Sequence, residues 1–186
     1  MKEVLIIPGY GDRQDYIEFI TRKWPKRYGL NPTLFSFHTA NASSKNAEDI
    51  YSRNWYMFSK LVRQVGKVSV IGLSFGVSIA DRSLIELPEV NNIVCIGGPH
   101  RLEDMNLHTV KTKYPMLEHS LSGFQVDDLP TERIMTITPF TDGTVNPEVA
   151  QLEGAKNLKV PVFGHPVGLA AGLFLRASNI AEFINN

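Results

Sequence analysis

Six short apolar runs recur along the chain, at residues 4–7, 33–37, 68–71, 93–96, 133–138 and 158–163. Several are unbroken rather than alternating, the pattern of strands covered on both faces in a parallel sheet. Parallel neighbours need crossovers long enough to hold a helix, and helical periodicity fills most of the gaps. Asp12 is placed to cap a helix carrying Ile17, Ile20 and Trp24 and ending before Pro25. Ile50, Tyr51, Trp55, Phe58, Leu61, Val62 and Val65 form a second stripe, which Gly66 stops. A third helix follows Ser74 and stops near Leu87 and Pro88, and a fourth runs from about Leu169 to Phe183. Right-handed crossovers then predict an α/β fold: a three-layer α/β/α sandwich around a mostly parallel sheet of about six strands.

At 186 residues the chain fits a single domain, residues 1–186. The stretch 100–130 has weak periodicity and is expected to leave the sheet at its ligand-binding edge as a small cap or excursion. Nineteen basic residues balance nineteen acidic ones, which argues against a nucleic-acid partner or a basic membrane-surface helix. Cys95 is the single cysteine, so no internal disulfide or cysteine-rich zinc site can form. The apolar charge-free run 160–175 is shorter than the roughly 20 residues of a transmembrane segment. The apolar run before Pro8 is also too short for the core of a secretory signal, so a cytoplasmic location is expected.

The most informative motif is Gly72-Leu73-Ser74-Phe75-Gly76, directly after the run 68–71 and ahead of a helical stretch. A serine in G-x-S-x-G sits on a tight strand-to-helix turn, its hydroxyl raised above the sheet edge. The glycines two residues to either side let the strand and helix backbones approach closely. The new helix also points its N-terminal amides and positive dipole end at the serine. These features make Ser74 the candidate nucleophile.

A serine nucleophile of this kind takes its partners in the order serine, acid, histidine, each on a loop after a strand. Among five histidines, only His165 follows the last strand run, in a loop broken by Gly164 and Pro166. His38 precedes the serine; His100, His108 and His119 fall in the excursion, where their spacing suggests no metal site and His100 could line a substrate pocket. Asp142, in an Asp-Gly turn just past the fifth run, is the candidate acid. Asp127 and Asp128 enter that strand from its other end. The oxyanion hole needs two backbone N–H groups: one from Phe75, after the nucleophile, and one from Tyr10 in the loop Pro8-Gly9-Tyr10-Gly11.

These residues resemble the α/β-hydrolase superfamily, and the likeness covers nearly the whole chain. More narrowly, the segments Val94-Cys95-Ile96-Gly97-Gly98-Pro99-His100-Arg101-Leu102, Leu152-Glu153-Gly154-Ala155-Lys156-Asn157-Leu158 and Gly164-His165-Pro166-Val167-Gly168-Leu169 are similar to the small lidless bacterial lipases and esterases. Those lipases carry His-Gly at the oxyanion loop and alanine at the first elbow position, where this chain has Pro8-Gly9 and Gly72. Pro-Gly followed by a second glycine looks more like the small intracellular serine hydrolases of the retinoblastoma-binding type. The resemblance implies a minimal α/β-hydrolase fold and a serine hydrolase of small-molecule carboxylic esters. In it Ser74, Asp142 and His165 form the catalytic triad, Tyr10 and Phe75 form the oxyanion hole, and no metal or organic cofactor takes part. A thioesterase, amidase or acyltransferase on the same fold, or a catalytically silent binding domain, are the alternatives.

Overall fold

The structure, a computed structural model, describes residues 1–11, 21, 24–102, 105 and 107–186. Its centre is a six-stranded sheet formed by β1 (Lys2–Ile7), β2 (Leu30–Leu34), β3 (Val68–Leu73), β4 (Val90–Ile96), β5 (Ile134–Thr141) and β6 (Lys156–Phe163). Strand order is β2-β1-β3-β4-β5-β6, and every neighbouring pair is parallel. All carboxyl ends therefore point to one edge. The sheet matches the expected α/β class.

Alternation along the strands sorts the core into two layers. Leu5, Ile7, Val70, Ile93 and Cys95 face α2 (Ala47–Val65) and α3 (Gly76–Glu86), meeting Tyr51, Phe58, Val62, Ile79 and Leu84. Val4, Ile6, Ile71, Leu73, Val94 and Ile96 face the opposite layer, meeting Leu173, Ile180 and Ile184. Those three come from α6 (His165–Leu175) and α7 (Ala177–Asn185). The short α1 (Trp24–Arg27) adds Trp24 to this second layer. β3 is buried throughout, which is why its sequence reads as an unbroken apolar run.

Several boundaries differ from expectation. β2 spans Leu30–Leu34 rather than 33–37: Pro32 lies within it, tolerated because β2 is an edge strand with one neighbour. Phe35 and Phe37 follow the strand and pack edge-to-face with each other, and both reach Phe58. The helix expected from Asp12 to Trp24 lies mostly outside the described residues. The described helix here is Trp24–Arg27 and includes Pro25, whose fixed φ suits a helix at the cost of one N–H.

At the other end, the single helix expected over 169–183 is two helices bent by 60°. The break is at Arg176, whose guanidinium donates to the carbonyl of Lys159. Its first half starts four residues early: Gly164 is the N-cap and Pro166 occupies the first turn, where a missing N–H is harmless. No single helix among the described residues is long and apolar enough to cross a membrane.

The segment between β4 and β5 contains α4 (Leu107–Lys113) and α5 (Pro115–Leu121). Each has only seven residues, too few turns for periodicity to stand out. α5 buries Met116, Leu117 and Leu121 in the same cluster as α2 and α3. The Ser120 and Ser78 hydroxyls are hydrogen-bonded at 2.6 Å, joining α5 to α3. The excursion is thus a cap packed onto the helical layer.

Candidate active site

Ser74 stands between β3 and α3 with φ at 52°, a left-handed conformation that side chains rarely adopt. Its N–H donates to the carbonyl of Ile96, and its own carbonyl accepts from Val77. The flanking glycines are sterically required: a Cβ on Gly72 would lie 2.4 Å from the Gly76 carbonyl oxygen, and one on Gly76 would lie 2.3 Å from that of Ile7.

His165 Nε2 lies 2.9 Å from Ser74 Oγ, and His165 Nδ1 lies 2.6 Å from Asp142 Oδ2. The three side chains come from the carboxyl ends of β3, β5 and β6, which the parallel sheet gathers at one edge. His165 is the first residue of α6, so a helix rather than a loop holds its ring. The other oxygen of Asp142, Oδ1, accepts the N–H groups of Thr144 and Val145 at 2.7 and 3.0 Å. Burial alone would raise the Asp142 pKa. The hydrogen bonds from His165, Thr144 and Val145, with attraction to His165, outweigh that and hold it below the ordinary carboxylate value. Asp127, the sequence rival, is 93% exposed and pairs with Arg101 on the cap.

A cavity of about 500 Å³ opens over these groups. Ser74, Phe75, His165, Gly9 and Tyr10 are among the residues that line it, and a Cβ on Gly9 would lie 3.1 Å from that of Ser74. The loop after β1 therefore runs directly over the serine, with Tyr10 and Phe75 both beside it. The Tyr10 ring meets Phe75 and Tyr114 edge-on, at centroid distances of 5.4 and 5.3 Å. Met105, Tyr114 and Leu117 form the cap side of the wall, and Leu169 of α6 contributes opposite.

Sequence reasoning missed the cap residues and the Thr144 and Val145 amides; the cap side chains carry no motif, and backbone donors leave no trace in residue type. It also misplaced His100. Pro99 lines the cavity, whereas His100 turns away into a buried hydrogen bond with Asp81 and borders a separate cleft of about 340 Å³. A buried carboxylate on α3, 19 residues away in sequence, captures it. His38, His108 and His119 lie outside the lining of the larger cavity.

No protein-family model matches the sequence, and no curated protein matches it either. Solved structures do. A protein of the alpha/beta hydrolase superfamily from Xanthomonas campestris superposes with a TM-score of 0.69 at 16% identity, covering 100% of this chain and 99% of its own. The chain has the α/β-hydrolase fold. An esterase of Pyrococcus furiosus matches with a TM-score of 0.63 at 17% identity over 99% of this chain and 82% of that one. A meta-cleavage product hydrolase from Pseudomonas fluorescens matches with a TM-score of 0.64 at 13% identity, over 100% and 91%. At these identities the likeness is one of fold, and α/β-hydrolase folds carry many activities.

Because its pKa is depressed in the fold, Asp142 contributes stability above its unfolded-state value of about 4, and that contribution is lost as acid protonates it. Asp142→Asn should therefore destabilise the protein at pH 7. The difference from wild type should shrink as pH falls through 4 toward 3. Urea unfolding of both proteins at pH 7, 5 and 3 measures it; a constant difference would contradict the assigned shift.

Proposed function

We propose that the chain is a serine hydrolase that cleaves carboxylic esters through an acyl-enzyme. The observation that carries this reading is the unbroken hydrogen-bonded relay from Asp142 through His165 to Ser74, ending at the floor of an apolar cavity. In the first step the Ser74 oxygen attacks the ester carbonyl while His165 Nε2 takes the hydroxyl proton. Asp142 accepts from Nδ1–H, which fixes the tautomer with a free lone pair on Nε2 and stabilises the imidazolium that forms. The developing oxyanion is met by the backbone N–H groups of Phe75 and Tyr10, and the dipole of α3 adds to that field. Collapse expels the alcohol, which leaves with the proton from Nε2. Water, deprotonated by the same nitrogen, then attacks the acyl-serine and releases the acid.

The lining of the cavity suggests the substrate's character. Pro8, Tyr10, Phe75, Pro99, Met105, Tyr114, Leu117, Val145 and Leu169 surround it, and among the described residues none that lines it is Asp, Glu, Lys or Arg. Among the described lining residues, a carboxylate or ammonium moved there from water would meet no charged Asp, Glu, Lys or Arg partner. The favoured acyl group is uncharged, and the cavity's size suits short to medium chains.

Labelling with a fluorophosphonate, followed by peptide mapping, should modify Ser74, and Ser74→Ala should fold normally with kcat lower by about 10⁶. A second labelled serine in place of Ser74, or a fully active alanine variant, would overturn the reading. Asp142→Asn offers His165 a donor as well as an acceptor and so favours the wrong tautomer. It should cost up to about 10⁴ in kcat, while the Asp127→Asn/Asp128→Asn double variant stays near wild type. Across a panel of nitrophenyl esters, kcat/KM should peak at short or medium acyl length. A peak on long chains with a jump at the micelle threshold would indicate a lipase instead.

A further inference from the structure

Asp81 and His100 form a second acid–imidazole pair, which the proposed reaction does not use. Asp81 lies on α3 and His100 ends the Gly97-Gly98-Pro99-His100 segment after β4. Their side chains are 0% and 1% exposed, and His100 Nδ1 lies 2.7 Å from Asp81 Oδ2. The Cys95 thiol donates to the other carboxylate oxygen at 3.7 Å. Burial, and then the negative charge of Asp81, push that thiol well above its ordinary pKa. Ligand-type atoms of the three side chains lie within 4.8 Å of one another. The 2.7 Å contact, however, is a direct hydrogen bond, shorter than the roughly 3.4 Å that separates two ligands about 2.1 Å from a tetrahedral zinc.

Stability does not account for a pair of this kind. Desolvating both groups offsets most of their attraction, and apolar side chains of similar volume often serve as well or better. What such a pair supplies is a fixed geometry, and here the fixed object is the loop between the reacting groups. Gly97 has φ at +60°, and a Cβ on it would lie 3.8 Å from His165 Cε1 and 3.9 Å from Asp142 Oδ2. A Cβ on Gly98 would lie 2.1 Å from the Ser74 carbonyl oxygen and 2.6 Å from the Val77 side chain. The loop is wedged between the serine turn and the imidazole, and Pro99 carries it onto the cavity wall. At one end Gly97 N–H donates to Ile137 of β5. At the other end His100 is the anchor, and the cap begins immediately after it.

We propose that Asp81 and His100 are a positioning pair, which pins the far end of this loop and so holds Ser74 and His165 at reacting distance. The proposal rests on the hydrolase reading above. Neither residue touches substrate; they act through Gly97 and Gly98.

The test is the Asp81→Ala/His100→Leu double variant, which removes the pair with nearly conserved volume and leaves no buried charge behind. It should keep the wild-type melting temperature within a few degrees, while kcat on a short-chain nitrophenyl ester falls roughly 10- to 100-fold with KM within about threefold. His100→Asn keeps an N–H where Nδ1 stands and should restore kcat to within about threefold of wild type. A folded double variant with wild-type kcat would overturn the proposal, as would a His100→Asn variant that folds yet is as slow as the double variant. Should the double variant fail to fold, Asp81→Asn decides. Its amide presents a donor to one of the two protons that the carboxylate accepts, so kcat should fall at least about threefold with KM held; an unchanged kcat overturns the pair's role. Fluorophosphonate labelling of the wild-type protein separates the two levels. If Ser74 does not react, the hydrolase reading fails and takes this proposal with it. If Ser74 reacts and the kinetic pattern is absent, only the positioning role is lost.

Discussion

Everything at this site depends on one close approach of backbone to backbone, where β3 turns into α3. Ser74 adopts a left-handed conformation that costs on the order of 1–3 kcal/mol for a residue with a side chain. The cost is borne because its surroundings leave no alternative. Gly72 meets Gly76, Gly76 meets Ile7 of β1, and Ser74 N–H is held by Ile96 of β4. Both neighbouring strands therefore enforce the turn, which is possible only because β3 is central in the sheet. The same parallel arrangement then brings His165 and Asp142, 23 residues apart, to the edge where Ser74 emerges.

The environment of the relay divides into two kinds of surface. On one side are polar groups fixed by backbone: the Asp142 turn with its Thr144 and Val145 amides, and the loop bearing Gly9 and Tyr10. On the other is an apolar wall that the cap provides through Met105, Tyr114 and Leu117. The cap is joined to α3 by the buried Ser78–Ser120 hydrogen bond and shares its apolar cluster. A roof so attached presents a standing pocket, and the low-dielectric wall strengthens the electrostatics of the relay it covers.

Much of this was legible in the sequence, for identifiable reasons. Strands buried on both faces announce themselves as unbroken apolar runs, and a glycine-flanked serine after such a run has few structural explanations. Where reading failed, the deciding contact lay elsewhere in the chain. Pro32 argues against a strand until β2 proves to be an edge, and the helix break at Arg176 coincides with a hydrogen bond from its guanidinium to the carbonyl of Lys159. His165 was expected on a loop because Gly164 and Pro166 flank it, yet the same two residues cap and open a helix. His100 looked like a pocket residue from its neighbours Gly97, Gly98 and Pro99. Its partner, Asp81, belongs to none of the motifs in the sequence.

The comparison of Asp142–His165 with Asp81–His100 shows how little the residue types alone decide. Both are hydrogen-bonded acid–imidazole pairs, at 2.6 and 2.7 Å; Gly97 lies beside the first, and the second includes His100 at the end of the same segment. They differ in what the second ring nitrogen meets. His165 Nε2 faces the Ser74 hydroxyl at 2.9 Å beneath a cavity, with the imidazole 14% exposed. His100 Nε2 is buried without a hydrogen-bond partner among the described residues, so a proton there would have nowhere to go. On the proposed reading, burial of that second nitrogen separates an anchor from a proton relay. An acid and a histidine brought together by a fold are therefore evidence of catalysis only when the imidazole's far side reaches both a nucleophile and a space for substrate.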